Sequence, residues 1–145
     1  MKIVVDADAC PVKREIESLA KKHKIDVIMV CDTSHIITSD YSRVIMVDKG
    51  ADSVDFALIN MVNAGDIVVS QDYGVAAMAL AKKAAAIGNS GRIYTQFNID
   101  AMLNQRFLSN ENRRKGGKFT RGPKAPVIDK NRFTDSLLSL INNRD

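Results

Sequence analysis

Short apolar runs alternate with stretches of helical periodicity along this chain. The β-branched run Ile3–Val5 is typical of a buried strand, and further apolar runs predict strands over residues 25–31, 44–47, 67–70 and 92–95. Apolar residues at helical spacing predict helices over residues 11–22, 52–64, 75–87 and 99–108. Strands that alternate with helices favour right-handed crossovers and a mostly parallel sheet. We therefore expect a small doubly wound α/β domain of about five strands with helices on both faces.

The last third of the chain departs from this alternation. Residues 110–125 are rich in Lys, Arg and Gly and hold too few apolar residues to form a core. Residues 132–141 carry apolar side chains at helical spacing. We expect an α/β domain over residues 1–109, a basic glycine-rich loop over 110–125, and a C-terminal helix within 126–145 that packs on the same domain. The total of 145 residues suits one domain.

Composition excludes several other protein classes. Hydrophobic residues make up 46% of the chain and charged residues 26%, which argues against disorder, collagen-like structure and coiled coil. The apolar runs are far shorter than the roughly 20 residues of a membrane span, and no basic-then-apolar leader precedes the first strand, so we expect a cytoplasmic protein. Cys10 and Cys31 belong to no CxxC pair or Cys/His cluster, and we expect buried thiols rather than a disulfide or a zinc site.

The net charge of +4 is divided unevenly along the chain. Residues 1–100 hold 11 Lys and Arg against 13 Asp and Glu, a net of −2, whereas residues 101–145 hold 10 against 4, a net of +6. Dense cations among glycines favour contact with phosphate backbones. Aromatic residues are nearly absent there apart from Phe119, so little base stacking or sequence specificity is expected. The predicted nucleic-acid-binding residues are Lys13, Arg113, Arg114, Lys115, Lys118, Arg121 and Lys124.

Aspartates follow two of the predicted strands and open a middle helix. Asp6 and Asp8 come after the first strand, Asp72 after the fourth, and Asp52 and Asp55 lie in the first turn of the helix. Ligands of open α/β sheets bind outside the carboxyl ends of the strands, so these side chains line one cleft if the first and fourth strands are neighbours. Three of them have a structural alternative, because Asp6 can form a turn and Asp8 or Asp52 can cap a helix.

Clustered carboxylates require a counter-charge. Two of them about 4 Å apart repel by roughly 4 kcal/mol unless they protonate or bind cations. Oxygen ligands without His or Cys favour Mg²⁺ or Mn²⁺, and a cation pair held ~3.5–4 Å apart activates water for phosphodiester hydrolysis. The predicted metal ligands are Asp6, Asp8, Asp52, Asp55 and Asp72, all but Asp55 also being predicted catalytic residues. Ser70 is a predicted accessory group that orients a nucleophile or a substrate phosphate.

Several strings of residues carry a family resemblance. They are DADACPVK at 6–13, GADSVD at 50–55, GDIVVSQD at 65–72, NI at 98–99, GP at 122–123 and DKNRF at 129–133. Nearly end to end, the chain resembles the YaiI/YqxD family of uncharacterised bacterial proteins, and DADACPVK is the specific string. The family pattern usually has Ile-Pro-Leu-Ala after the aspartate that matches Asp72, where this chain has Tyr-Gly-Val-Ala, and Asp-Arg where residues 129–132 are Asp-Lys-Asn-Arg.

The resemblance implies both a fold and a site. The YaiI/YqxD family is related to PIN-like nucleases, whose acidic metal-binding residues follow the first strand, open a middle helix and follow the fourth strand. By this resemblance the five aspartates take those places in a PIN-like fold, and Asn98 joins Ser70 as an accessory residue.

Three functions are compatible with these observations. The first is a divalent-metal-dependent nuclease in which the aspartates activate water, RNA being favoured over DNA by analogy alone. The second is a non-catalytic nucleic-acid-binding protein that keeps a structural or vestigial metal site. The third is a phosphatase of the haloacid-dehalogenase type, because Asp6 and Asp8 also form a DxD pattern with Asp6 as nucleophile, although Cys10 stands where such enzymes have Thr or Val.

Overall fold

A single sheet organises the protein. The computed structural model describes residues 1–8, 10–34, 36–50, 53–104 and 128–143. The strands are β1 (Lys2–Asp6), β2 (Asp26–Asp32), β3 (Arg43–Val47), β4 (Ile67–Val69), β5 (Ala85–Ile87) and β6 (Ile93–Tyr94). Their order across the sheet is β3-β2-β1-β4-β5-β6. All neighbouring pairs are parallel except the last, in which β6 runs antiparallel to β5.

Helices cover both faces of this sheet. On the side of α1 (Lys13–His23) one apolar core forms, and α5 (Lys130–Asn142) contributes to the same core. A second core on the opposite face contains side chains of α2 (Ser53–Met61), α3 (Tyr73–Ala81) and α4 (residues 96–104). The predicted doubly wound α/β fold is therefore confirmed, with six strands rather than about five.

The central strand β1 is covered by helices on both faces of the sheet. Ile3 and Val5 belong to the core under α1, whereas Val4 belongs to the core under α2 and α3, and all three are fully buried. Successive side chains of a strand point to opposite faces, so a strand covered on both sides must be continuously apolar. This is the pattern that predicts a buried strand at residues 3–5.

The helix predicted over residues 75–87 is wrong in its second half. α3 ends at Ala81, Lys83 has a left-handed backbone with φ of 65°, and β5 follows at Ala85. Alanine favours helices in isolation, but Ala86 and Ile87 fill the two opposite cores and pair between β4 and the antiparallel β6. Burial on both faces of the sheet outweighs the local helical preference.

Helix boundaries also differ from the predicted ones. The first helix begins at Lys13 rather than at Pro11, because Val12 has a non-helical φ of −112° and is fully buried below the helix start. The helix predicted over 52–64 ends at Met61, and the one predicted over 99–108 begins at residue 96. None of these shifts moves a helix to another face of the sheet.

Two further expectations concern the chain as a whole. The predicted boundaries at residues 109/110 and 125/126, with the basic loop between them, lie outside the described residues. Among the helices of the described ranges, none is both long enough and apolar enough to cross a membrane.

The strand order creates a crevice at the carboxyl ends of β1 and β4. From β1 the chain passes through α1 to β2 and on to β3, and it then crosses through α2 to β4 on the other side of β1. Such a reversal of strand order leaves the carboxyl ends of the two central strands open to a ligand. The first and fourth strands are thus neighbours, which is the condition on which the predicted cleft depends.

At the opposite edge, Asp66 joins the amino ends of the same two strands. Its carboxylate is buried and accepts hydrogen bonds from the Lys2 backbone N–H at 3.1 Å, from Lys2 Nζ at 2.7 Å and from the Asn63 N–H at 2.8 Å. Burial alone would raise the pKa of Asp66, but these three hydrogen bonds and the charge of Lys2 outweigh it and lower the pKa below 3.8. Asp66 therefore stabilises the fold as a carboxylate.

Replacing Asp66 tests this contribution. We expect Asp66→Asn to lower the free energy of unfolding at pH 7 by about 2 kcal/mol, since hydrogen bonds to a charged partner are lost. Because the pKa is lowered on folding, the difference between wild type and variant should be complete above pH 3.8 and should shrink as the pH falls through the folded-state pKa. Urea denaturation at pH 7 and near pH 2.5 measures both, with the exposed Asp26→Asn as control; a difference that grows in acid would contradict the assignment.

The packing of α5 is tested by a pair of phenylalanines. Phe133 on α5 is 0% exposed in the core beneath α1, whereas Phe97 on α4 is 92% exposed. Phe133→Ala should lower the free energy of unfolding by about 3–5 kcal/mol, and Phe97→Ala should change it by less than about 0.5 kcal/mol. Equal effects in thermal or urea unfolding would show that α5 does not pack as described.

Candidate functional site

Ser70 joins the carboxyl ends of β1 and β4. Asp6 is the last residue of β1, and Ser70 directly follows β4. The Ser70 hydroxyl donates to Asp6 Oδ2 at 3.3 Å and accepts from the Asp72 N–H at 3.0 Å. Only 3% of Ser70 is exposed, so this link lies at the bottom of the crevice. One hydroxyl thus connects two of the predicted metal ligands.

The charge of Asp6 is poorly stabilised by its surroundings. Burial raises its pKa above 3.8, the hydrogen bond from Ser70 lowers it, and the nearby charges of Asp8 and Asp72 raise it again, for a net increase. Asp8 and Asp72 are therefore close enough to Asp6 for their charges to act on it. The structure brings these three predicted ligands to one end of the sheet.

Asp72 is held in place by the first turn of α3. It is the N-cap of that helix, and its Oδ1 accepts from the Gly74 N–H at 2.8 Å and from the Val75 N–H at 3.2 Å. A Cβ atom on Gly74 would come within 3.1 Å of the same oxygen. The absence of a side chain at Gly74 therefore leaves room for the capping carboxylate, and the cap fixes Asp72 beside Ser70.

Asp8 is positioned by β2 and not by a helix. Its two carboxylate oxygens lie 3.2 and 3.3 Å from the Asp32 backbone N–H, whereas the N-cap of α1 is Val12 and has no side-chain hydrogen bond. The helix-cap alternative for Asp8 is therefore wrong. This contact adds a fourth acidic residue that the sequence analysis missed, since Asp32 ends β2 at the same edge of the sheet. Its position at a strand end is the signal that could have identified it.

The side chain of Asp32 is itself engaged locally. Asp32 Oδ1 accepts from the Ser34 N–H at 2.8 Å and from the Ser34 hydroxyl. These bonds turn the chain directly after β2, which is the usual role of an aspartate at the start of a loop. Asp32 therefore adds an acidic residue to this edge of the sheet. Its side chain also stabilises the turn that follows β2.

The remaining predicted ligands come from α2. Asp55 lies in the first turn of α2 and is half-buried, and Asp52 lies outside the described residues. Among the residues that the structure describes, no three His, Cys, Asp or Glu side chains lie close enough together to hold a metal ion. The donor chemistry, carboxylate oxygens whose charges repel one another, suits a hard divalent cation, but the described side chains form no complete coordination shell.

The other predicted site residues have different positions. Lys13 is half-buried at the start of α1, and its charge acts on the thiols of Cys10 and Cys31. Asn98 forms a capping box at the start of α4, in which its Oδ1 accepts from the Thr95 N–H at 2.8 Å and its own N–H donates to Thr95 Oγ1 at 3.1 Å. Its Nδ2 donates to the Ile93 carbonyl at 3.0 Å, so Asn98 is engaged in holding a turn. The predicted basic residues between 113 and 124 lie outside the described residues.

Both cysteines are buried free thiols, as predicted. Burial raises the pKa of Cys10 to about 11 and also raises the pKa of Cys31 above 9.0. A thiol with a raised pKa is a poor nucleophile at neutral pH. Cys10 therefore contributes packing rather than chemistry to the crevice.

The electrostatic coupling in the crevice predicts opposite effects of two substitutions on the pKa of Asp6. In metal-free protein, Asp72→Asn should lower this pKa because it removes a neighbouring charge while Asn still caps α3. Ser70→Ala should raise it because a stabilising hydrogen bond is lost. Carboxyl carbon NMR titration in EDTA measures both, with the exposed Asp40→Asn as control. Shifts of the same sign in the two variants would contradict this arrangement.

Comparison with known proteins places the chain among bacterial relatives. A UPF0178 protein of Lachnoclostridium phytofermentans is 62% identical over 116 residues, which cover 80% of this chain and 78% of that protein. UPF0178 proteins of Clostridium kluyveri and Clostridium acetobutylicum are 49% and 50% identical over 143 residues and are covered to 94% and 97% of their own lengths. No solved structure matches the chain significantly.

A family model covers the whole site described above. It carries the description "Uncharacterized BCR, YaiI/YqxD family" and matches residues 4–143. The match begins within β1 and includes β4, the described aspartates of the crevice and α5. The protein therefore belongs to the YaiI/YqxD family.

Proposed function

We propose that this protein is a divalent-metal-dependent nuclease. The observation that carries the proposal is the position of Asp6 at the reversal of strand order, where burial first and then the charges of Asp8 and Asp72 raise its pKa. Carboxylates gathered in this way favour a cation at the place where open α/β sheets bind their ligands.

The residues that would hold Mg²⁺ or Mn²⁺ are the carboxylates that face this crevice. Asp6, Asp8, Asp55 and Asp72 are among the described residues, and Asp52 is the fifth predicted ligand. Burial and the nearby charges of Asp8 and Asp72 disfavour the ionised form of Asp6, so this carboxylate would gain from a cation nearby. A divalent cation bound there supplies an activated water and neutralises the charge that develops on a phosphodiester.

Ser70 and the first turn of α3 act as positioning groups in this proposal. Ser70 holds Asp6 at 3.3 Å and the Asp72 backbone at 3.0 Å, and the backbone N–H groups of Gly74 and Val75 hold the Asp72 side chain. Groups that orient ligands in this way reduce the rearrangement needed when a cation binds. The crevice is thus preorganised on its β1 and β4 sides.

The substrate class follows from charge and from analogy. The cations predicted to contact a phosphate backbone are concentrated between residues 113 and 124. An acidic centre and a basic segment in one chain suit a polyanion whose phosphodiester must approach carboxylates. We favour RNA over DNA by analogy with the PIN-like nucleases that the family resembles, and little sequence specificity is expected.

Cleavage of labelled single-stranded RNA and DNA tests the proposal. The full chain should cleave RNA in the presence of Mn²⁺ and lose this activity in EDTA. Asp6→Asn and Asp72→Asn should each lower the rate at least about 100-fold, because losing a metal ligand costs no less than losing one of the groups that orient it. Asp135→Asn, an exposed aspartate on α5, provides the matched control and should retain full activity. Circular dichroism verifies that the variants are folded.

Three outcomes would contradict this proposal, and the last two would assign a different function. Cleavage that is equal in wild type and in Asp72→Asn would show that the crevice is not the catalytic site. RNA binding that is steeply salt-dependent and unaffected by EDTA, without turnover, would indicate the non-catalytic binding protein. Release of inorganic phosphate from monoesters, with a trappable phospho-aspartate at Asp6, would indicate the phosphatase.

A further inference from the structure

A second polar cavity lies beside the carboxylate crevice. Its volume is about 260 Å³, and its lining includes Gln71, Tyr73, Arg92, Tyr94, Asp129 and Arg132. We call it the arginine pocket, since Arg92 and Arg132 are its only basic groups among the described residues. None of its lining residues was a predicted site residue, because they come from three separate parts of the chain.

The arginine pocket and the crevice share one segment of backbone. Gln71 and Tyr73 line the pocket, and Asp72, which caps α3 in the crevice, lies between them in the chain. Tyr73 and Tyr94 form an edge-to-face pair with ring centroids 5.9 Å apart and an interplanar angle of 67°. Gln71 Oε1 accepts from the Asn89 N–H at 2.7 Å and so holds the next turn of the chain. A ligand in the pocket would therefore lie directly beside the proposed metal ligands.

Both arginines of the pocket are exposed residues. Within the described residues, neither guanidinium group forms a hydrogen bond or an ion pair with the protein. Gly91 has a φ of 89°, and a Cβ atom there would come within 2.9 Å of the Arg132 carbonyl oxygen. The first turn of α5 therefore packs against the turn between β5 and β6. As a result, Arg132 and Arg92 line the same cavity.

The charge of the pocket favours an anion. Asp129 is the one acidic lining residue, and its Oδ1 accepts from the Arg132 N–H at 3.1 Å as the N-cap of α5. The pocket therefore holds two guanidinium groups and one carboxylate, so its net charge is positive. The crevice beside it is negative. Arginine forms paired hydrogen bonds with phosphate oxygens, and the volume is below the roughly 300–1,000 Å³ of pockets for drug-sized ligands.

We propose that the arginine pocket binds the phosphate group of a nucleotide, with Arg92 and Arg132 as donors and the Tyr73 ring as the wall beside the sugar or base. This inference rests on the proposed function for placing that nucleotide in an RNA strand next to the scissile phosphodiester. The carboxylates alone repel such a strand, so a cationic pocket on their flank supplies the attraction that holds it in the crevice.

Binding measured without metal tests the pocket separately from catalysis. In EDTA, calorimetric titration of the full chain with 5′-AMP should show at least about tenfold tighter binding than with adenosine. Arg92→Ala and Arg132→Ala should each weaken AMP binding at least about tenfold, as expected for charge-assisted hydrogen bonds. Arg43→Ala removes the same charge from β3, at the opposite side of the sheet, and should change the affinity less than twofold. Equal binding of AMP and adenosine, or an equal loss in Arg43→Ala, would overturn the proposal.

Short RNA distinguishes the two sources of the phosphate. Oligouridylates with and without a 5′-phosphate are compared in wild type and in Arg92→Ala. Tighter binding of the phosphorylated strand that disappears in Arg92→Ala supports a pocket for the strand end. Equal binding of the two strands that weakens in Arg92→Ala supports an internal phosphodiester, and binding of both strands that is unchanged in this variant overturns the inference.

The cleavage assay separates this inference from the proposed function. Arg92→Ala should raise the KM for RNA with little change in kcat, because the arginine acts on binding. RNA cleavage with an unchanged KM in this variant would reject the pocket and leave the nuclease standing. AMP binding that depends on both arginines, without cleavage by wild type, would reject the nuclease and leave the pocket standing as a nucleotide site.

Discussion

The parallel pairing of β1 with β4 is the contact on which the rest of the structure depends. It joins Ile3, Val4 and Val5 to Ile67, Val68 and Val69, and all six side chains are buried between the two helical layers. The chain must leave β3, at one side of the sheet, and cross to the other side of β1 to form it. This crossing opens the crevice at the carboxyl ends, and Asp66 ties the same strands together at the amino ends. Stability and the candidate site therefore share one structural cause.

Opposite charges lie on the two sides of one short segment. Between β4 and α3, Ser70 and Asp72 face the acidic crevice, while Gln71 and Tyr73 line the arginine pocket. Asp72 also acts across this segment, since its charge is among the causes that raise the pKa of Tyr94, after burial and Tyr73. The proposed cation site and the proposed phosphate site adjoin in this way, and such an arrangement suits a phosphodiester substrate that contacts both. The proposed nuclease and the proposed pocket are thus parts of one binding surface.

The degree to which the sequence predicts this site differs from residue to residue. Asp6 and Asp72 could be predicted to meet, since each follows an apolar run and strand ends converge in a parallel sheet. Asp32 was missed because the contact of its N–H with Asp8 depends on the pairing of β1 with β2. The alanine-rich β5 was predicted as helix because local propensity favoured it, and only burial between two layers reverses that preference. The arginine pocket could not be predicted. Arg92 and Arg132 line one cavity only because α5 packs against the β5–β6 turn.

Periodicity alone was sufficient to predict the class of fold and the positions of most buried strands. The residues next to the apolar runs were sufficient to predict that aspartates concentrate at strand ends. Both features are local patterns of about three to ten residues. The order of the strands, the identity of the neighbours of each aspartate and the existence of the arginine pocket are properties of the folded chain. They depend on contacts between residues far apart in sequence, such as Ser70 with Asp6 and Gly91 with Arg132. The tertiary structure decided them because a hydrogen bond or a close backbone approach is a relation between two segments, and neither segment alone carries a signal for it.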